Sequence, residues 1–320
     1  MYATNEWDKL KKVIVGSATG ARIPAMDKSL RCVNYADVQD ESDIPSGWYP
    51  EQVIEEANQD LETFSEFLRG EGVEVLRPTN RTTVEYYDYC PRDIVFVHGE
   101  TALATPMPIR ARANNYLNIV DHFNKLECVH RHQSDDIYNL KCVGDPDTLA
   151  LYDDAPMFDA ANIIRANDDL LYLVSNSGNL AGADYLQEKF PHTKVHRLQG
   201  VYSYMHIDST IAFLKEGLML LNPSRIKSID VLPEPFRSWD VIWCPEPTDI
   251  GYYGDYCNAS PWINMNLFSV SPELVALEEN QHNLRVELEK HGIQCAMLPI
   301  RHQRTLGGGF HCVTLDLERS

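Results

Sequence analysis

Glu51-Gln-Val-Ile-Glu-Glu-Ala-Asn-Gln-Asp-Leu-Glu-Thr-Phe-Ser-Glu-Phe-Leu-Arg69, then Gly70-Glu-Gly72, then Val73-Glu-Val-Leu76, is the stretch that sets the reading of the whole chain. Apolar residues recur at Val53, Ile54, Ala57, Leu61, Phe64 and Leu68, the spacing of one helix face. The glycines stop that helix, and the short apolar run after them reads as a strand. The same order recurs four times. Helices are expected over 109–126, 181–190, 225–232 and 272–291, the last stopped by Gly292. Their strands are Glu127-Cys-Val-His130, Lys194-Val-His-Arg-Leu198, Val241-Ile-Trp-Cys244 and Gln294-Cys-Ala-Met-Leu298. Apolar strand candidates precede each helix, at 12–15, 94–97, 170–174, 210–214 with 218–221, and 263–270. The tail after Cys312 adds another. The chain thus reads as an α/β protein of about five strand–helix–strand modules.

Alternating strands and helices often build a doubly wound sheet. Two features oppose that here. No GxGxxG or phosphate-binding loop is present, and Gly16-Ser-Ala-Thr-Gly20 has the wrong spacing and reads as a turn. The residues able to do chemistry also lie at the ends of different modules, from position 93 to position 312. A ring of modules around a central axis would bring them together. No linker rich in Pro, Gly or Ser divides the chain, so residues 1–320 read as one domain.

The composition is that of a globular protein, with 44% hydrophobic residues. No apolar run is long enough to span a membrane, and the N-terminus carries no targeting signal. Eight scattered cysteines form no CxxC pair, which points to reduced thiols and a cytoplasmic protein. A net charge of −19 disfavours nucleic acid and favours a cationic small substrate. Cys128, His130 and His132 alternate along one strand candidate, but no fourth ligand at a zinc spacing accompanies them. Neither a metal nor a cofactor is expected.

Four segments carry candidate chemistry. Leu306-Gly-Gly-Gly-Phe-His-Cys312 puts a thiol beside a histidine after three glycines, which allow close backbone approach. By itself this reads as a buried free cysteine after a turn; only the rest of the chain favours a nucleophile. Cys90-Pro-Arg-Asp93 places a carboxylate at the mouth of a strand; a solvated turn is the plain alternative. In Met157-Phe-Asp159-Ala-Ala161 an acid sits among apolar neighbours and needs a partner, for which histidine is suited. In His206-Ile-Asp208 a base and an acid would share one face of a strand. A core histidine is the alternative there. Together they supply a Cys–His–acid nucleophilic site. The further carboxylates Asp93 and Asp208 suit a planar guanidinium. The aromatic runs Trp48-Tyr49, Tyr86-Tyr87-Asp-Tyr89 and Tyr252-Tyr253 read as packing.

These segments resemble the amidinotransferase family, which includes glycine amidinotransferase and the inosamine-phosphate amidinotransferase of streptomycin biosynthesis. The resemblance runs nearly end to end. It includes Asn5-Glu-Trp-Asp8, Val13-Ile-Val-Gly16, Ile44-Pro-Ser-Gly47 and Asn222-Pro-Ser-Arg225 besides the four above. Ile44-Pro-Ser-Gly47, Leu171-Tyr-Leu-Val-Ser-Asn-Ser-Gly178 and Asp249-Ile-Gly251 lean toward the streptomycin branch. The chain is shorter than the family pattern between Arg77 and Tyr86 and between Cys128 and Asp159, which leaves the acceptor open.

The resemblance implies a five-bladed α/β propeller. It implies Cys312 as the nucleophile, His206 as general acid and base, and Asp159 as the partner of that histidine. It gives Asp93 and Asp208 to the guanidinium, Arg225 to the donor's α-carboxylate, and Ser260 to a second donor contact. Ala259 departs from the serine of the glycine enzyme. The activity implied is ping-pong transfer of the amidino group of L-arginine to an amine acceptor, with release of L-ornithine; a homodimer is implied as well. Two alternatives stand beside it. An arginine deiminase-like hydrolase would use the same nucleophile and yield citrulline and ammonia. A non-catalytic arginine-binding protein would not need Cys312, His206 and Asp159 together.

Overall fold

The computed structural model describes residues 1–79, 81–83 and 85–320. Asn80 and Val84, in the shortened segment between Arg77 and Tyr86, lie outside the described residues. The described chain builds five three-stranded sheets on one plan and a separate two-stranded ribbon, Arg22–Ile23 with Gly47–Trp48. In each sheet two strands pair antiparallel and a third joins parallel. A parallel partner cannot be reached by a tight turn and requires a crossover.

Val95–His98 and Thr101–Ala104 form such a hairpin, joined by Glu127–Cys128. Ile163–Ala166 and Asp169–Leu173 are joined by Lys194–Leu198 after the helix Leu180–Lys189. Ile211–Lys215 and Leu218–Leu221 are joined by Asp240–Trp243. Phe268–Ser271 and Leu274–Glu278 are joined by Gln294–Leu298 after the helix His282–Lys290. The remaining sheet uses both ends of the chain. Leu10–Val15 pairs antiparallel with Thr314–Arg319 and parallel with Glu74–Leu76. Its crossover is the helix Glu51–Gly70, whose buried face is Val53, Ala57, Leu61, Phe64 and Leu68. Phe64 packs its ring against Phe268 and, at 4.7 Å, against Phe310 beside the nucleophile candidate.

Several expected elements differ. Residues 109–126 form no α-helix but three 3₁₀ turns, Arg110–Arg112, Asn115–Asn118 and Val120–His122. Asparagines cause this, because their side chains compete with helical backbone bonds. Asn115 donates to Tyr87 O and Asp88 Oδ1, and Asn118 donates to Asp88 Oδ2 while accepting from Thr82 N. In the fourth crossover only Ile229–Val231 and Glu234–Phe236 turn, interrupted by Pro233 and Pro235. In the fifth, Leu274–Glu278 is a central strand; its apolar run is buried by sheet neighbours on both edges. Over 263–270 a 3₁₀ turn at Pro261–Met265 comes first and the strand is only Phe268–Ser271.

One feature of the plan places the site. Short 3₁₀ turns at Pro91–Asp93, Ala160–Asn162, Ile207–Ser209 and Pro261–Met265 lie just before the first strand of four of the sheets. His311 and Cys312 stand in the same place before Thr314–Arg319. These turns pack on one another in chain order. Asn266 then accepts from the backbone N–H groups of His311 and Cys312, and Arg92 N–H donates to Cys312 O. Buried ion pairs bind the same elements. Asp316 takes Arg92, Arg165 and Arg319, and Glu6 takes both Nε and Nη2 of Arg165. Removing one member of such a set leaves a buried charge unpaired, at a cost of about 3–5 kcal/mol.

Candidate active site

Cys312 owes its position to the glycines before it. Gly307, at φ +77°, ends the helix Gln303–Leu306 in the left-handed region. A Cβ on Gly308 would lie 2.5 Å from Cys90 Sγ and 3.0 Å from Cys312 Cβ. One on Gly309 would meet Asn266 at 2.7 Å. The run is therefore a requirement of close packing around the thiol, in addition to a turn. Gly16, in the run read as a turn, meets the Tyr89 backbone in the same way.

The Cys312 thiol donates to Asp208 Oδ2 at 3.2 Å. The same oxygen accepts from His311 Nδ1 at 3.0 Å. Burial alone would raise the Asp208 carboxyl; the bond and charge of His311, with the charge of His206, hold it well below the usual carboxylate range. A hydrogen bond with Cys90, then burial, then the charges of Asp208 and Asp93 push the Cys312 thiol well above its ordinary value. Without a ligand, the nucleophile candidate is thus a thiol.

His206 Nε2 bonds Asp159 Oδ2 at 2.8 Å, and its Nδ1 lies 3.7 Å from Asp93 Oδ1. Burial works against the imidazolium, but Asp93, Asp159 and Asp208 outweigh it and lift His206 to about 9. His206 is the residue just before the Ile207–Ser209 turn, not part of a strand as expected, and its neighbour Met205 has φ +37°. The turn still presents both His206 and Asp208 to one cavity.

That cavity holds about 470 Å³ and receives His206, Asp208, Cys312, Arg225, Ser260 and a group of tyrosines. Asp159 and Asp93 are buried and meet it through His206. Asp93 Oδ2 is taken by Arg112 at 2.5 Å, and its Oδ1 has no hydrogen-bond partner. Arg225 donates from Nη1 to Ser209 O, Ser209 Oγ and Thr210 Oγ1 and lies 3.5 Å over the Tyr202 ring. Among the described residues no carboxylate pairs with it, so its Nε and Nη2 edge is open to an anionic ligand group.

Of the site residues expected from the sequence, Cys312, His206, Asp208, Arg225 and Ser260 line the cavity, Asp159 lies one hydrogen bond behind it, and Asp93 is buried behind His206 at 3.7 Å without a hydrogen bond to it. Several participants were not legible. Cys90 lies in a segment singled out for Asp93, yet only the fold brings it to Cys312. Asn266 and Arg112 carry no local signal, and Glu6 stands in a segment that carried the resemblance but no chemical reading. Tyr86 and Tyr87, read as packing, line the cavity with Tyr35, Tyr202 and Tyr204, whereas Trp48 and Tyr252 are exposed. Of the alternating trio Cys128, His130 and His132, His132 pairs with Asp136, and among the described residues no group of three or more such side chains is placed to hold a metal.

A buried thiol, an imidazole paired with a carboxylate, and acids at a shared cavity are the parts that a nucleophilic site for a cationic substrate would need. No family model matches the chain. It is 42% identical over 337 residues to inosamine-phosphate amidinotransferase 1 of Streptomyces glaucescens, covering 99% of this chain and 96% of that protein. It is 29% identical over 347 residues to the L-arginine:L-lysine amidinotransferase of Pseudomonas savastanoi pv. phaseolicola, covering 98% and 93%. The solved inosamine-phosphate amidinotransferase of Streptomyces griseus superposes with a TM-score of 0.94 at 40% identity, covering 100% of this chain and 97% of that one. The chain belongs to the amidinotransferase family.

Proposed function

We propose that this protein moves the amidino group of L-arginine to an amine acceptor through a covalent intermediate on Cys312. The observation that carries the reading is the Asp208 carboxylate. It accepts from the Cys312 thiol inside a cavity that also holds the His206–Asp159 pair and an Arg225 edge free of carboxylates.

A guanidinium held by Asp208 brings a positive charge next to a thiol that carboxylates keep protonated, and so favours the thiolate, the thiol proton passing to solvent. Asp93 contributes its one unpaired oxygen, its other being bound to Arg112. Arg225 takes the α-carboxylate of arginine and Ser260 gives a second donor contact. The sulfur then bonds the guanidinium carbon. His206, protonated at neutral pH by the acids around it, donates its proton to the leaving nitrogen, the C–N bond breaks, and ornithine departs. The amidino group stays on sulfur as a cation. The acceptor amine attacks that carbon and gives a proton to His206, and the C–S bond breaks. Asp159 holds the imidazole in place throughout.

The same reading sets the five sheets as blades of a propeller around the cavity, in one domain. It places the protein in the cytoplasm, and homodimerisation comes with the family.

The test uses arginine labelled in the amidino carbon, with no acceptor added. Label on the Cys312 peptide with equimolar ornithine is the expected result. Catalytic citrulline would make the chain a hydrolase, and an unmodified protein would make it a binding protein.

A further inference from the structure

The reaction uses His206, yet a second histidine is closer to the nucleophile's partner. His311 precedes Cys312, and its ring lies between two carboxylates. Nδ1 is 3.0 Å from Asp208 Oδ2 and Nε2 is 3.6 Å from Glu6 Oε2. A neutral imidazole has one N–H and one lone pair. Either tautomer would turn a lone pair toward a carboxylate oxygen. Protonation gives both ring nitrogens a proton and an acid to face.

The surroundings are fully charged. Glu6 is held by Arg165 and lies 3.7 Å from Arg92; Asp316 pairs with Arg92, Arg165 and Arg319. Arg92 also donates to His311 O, and the Phe268 ring lies tilted beside the imidazole, their centroids 6.5 Å apart. Arg92, Arg165 and Arg319 all pair with Asp316, and Arg165 and Arg92 also face Glu6, but among the described residues no arginine pairs with Asp208, whose contacts are His311 and Cys312. Arg112 matches Asp93, and His206 matches Asp159. His311 is therefore the basic group in contact with the Asp208 oxygen that faces the Cys312 sulfur, placed to balance an ionised Cys312.

We propose that His311 is a positioning residue that controls the ionisation of Cys312 through Asp208, by holding the positive charge that offsets the thiolate. Asp208 is the shared contact: one oxygen accepts from both the imidazole and the thiol. His311 thus acts on the sulfur, while His206 acts on the leaving and entering nitrogens. The inference concerns the sulfur of the site proposed above, but its test does not depend on transfer activity.

The experiment is the rate of iodoacetamide modification of Cys312 against pH, followed by peptide mass spectrometry on the full-length protein. Wild type is compared with His311→Gln and His311→Lys, each checked for a native circular dichroism spectrum. Loss of the charge in His311→Gln should raise the midpoint by about one pH unit. His311→Lys, which restores a cation, should keep it nearer the wild-type value. For transfer, His311→Gln should lower kcat/KM for arginine about tenfold at neutral pH, and the loss should shrink as pH rises. Equal midpoints in wild type and His311→Gln, or identical shifts in the glutamine and lysine variants, would overturn the proposal. Should the protein prove unable to transfer at all, the modification profiles still decide it.

Discussion

Replacing Arg225 by alanine separates recognition of the donor from its chemistry. In the structure Nη1 of Arg225 is occupied by Ser209 and Thr210, and the guanidinium lies over Tyr202. The side chain is therefore preorganised, and its remaining edge is the one that the proposed function gives to the donor's carboxylate. Truncating a buried charge-assisted pair costs about 2–5 kcal/mol. Arg225 is only half-buried, so the lower part of that range applies, about 2–3 kcal/mol or about 30- to 150-fold in kcat/KM for arginine. Most of it should enter KM, since the α-carboxylate is remote from the carbon that Cys312 attacks. Agmatine lacks that carboxylate. It should be a poor donor for the wild type, and Arg225→Ala should weaken it by no more than a few-fold. Steady-state kinetics with both donors, at a fixed acceptor concentration, gives the coupling directly. Equal losses for arginine and agmatine would show that Arg225 does not read the carboxylate and that the donor lies differently in the cavity.

Cys312→Ala should abolish both transfer and the amidino adduct while keeping the fold, which intact-mass and circular dichroism measurements check. His206→Ala should lower turnover severely, and Asp159→Asn less so, because the latter removes only orientation and charge support. The His206–Asp159 pair also has a stability signature. The folded-state value of His206 is raised to about 9, so its stabilising contribution is fully present below the unfolded value near 6.5 and is lost as pH rises through 9. The melting-temperature gap between wild type and Asp159→Asn should accordingly narrow from pH 6 to pH 9.5, and a constant gap would contradict the ion pair. Gly308→Ala should cut activity at least about tenfold by forcing Cys90 and Cys312 apart. Adding Cys90→Gly should recover part of it, and no recovery in the double variant would place the conflict elsewhere.

Cys312, His206, Asp208, Asp159 and Asp93 were legible because each stands in a short segment whose chemistry is unusual locally, whereas Arg225 and Ser260 came only from the resemblance. Gly307 to Gly309 before a thiol, an acid at Asp159 among apolar neighbours, and a His206–Asp208 pair are visible without a fold. The module rhythm was legible for the same kind of reason. The crossover helix at Glu51–Gly70 has a clean helical face, and Gly70 and Gly72 mark its end. Where side chains bond to distant backbone, periodicity misled. Asn115 and Asn118 spend their amides on Tyr87 and Asp88, so residues 109–126 turn three times instead of forming a helix.

By itself, then, the sequence determined the α/β alternation and the number of modules, since these follow from local patterns, while the roles proposed for Cys312, His206 and the acids came from the resemblance those segments carry together. Tertiary structure alone decided the rest. It brought Cys90 against Cys312 and set Asn266 under the nucleophile's backbone. It gave one oxygen of Asp93 to Arg112, and it placed Glu6, from the first residues of the chain, beside His311 near its end. The physical reason is that a buried charge or thiol takes its properties from whatever faces it. Those partners come from the entrances of different sheets, which no local pattern connects.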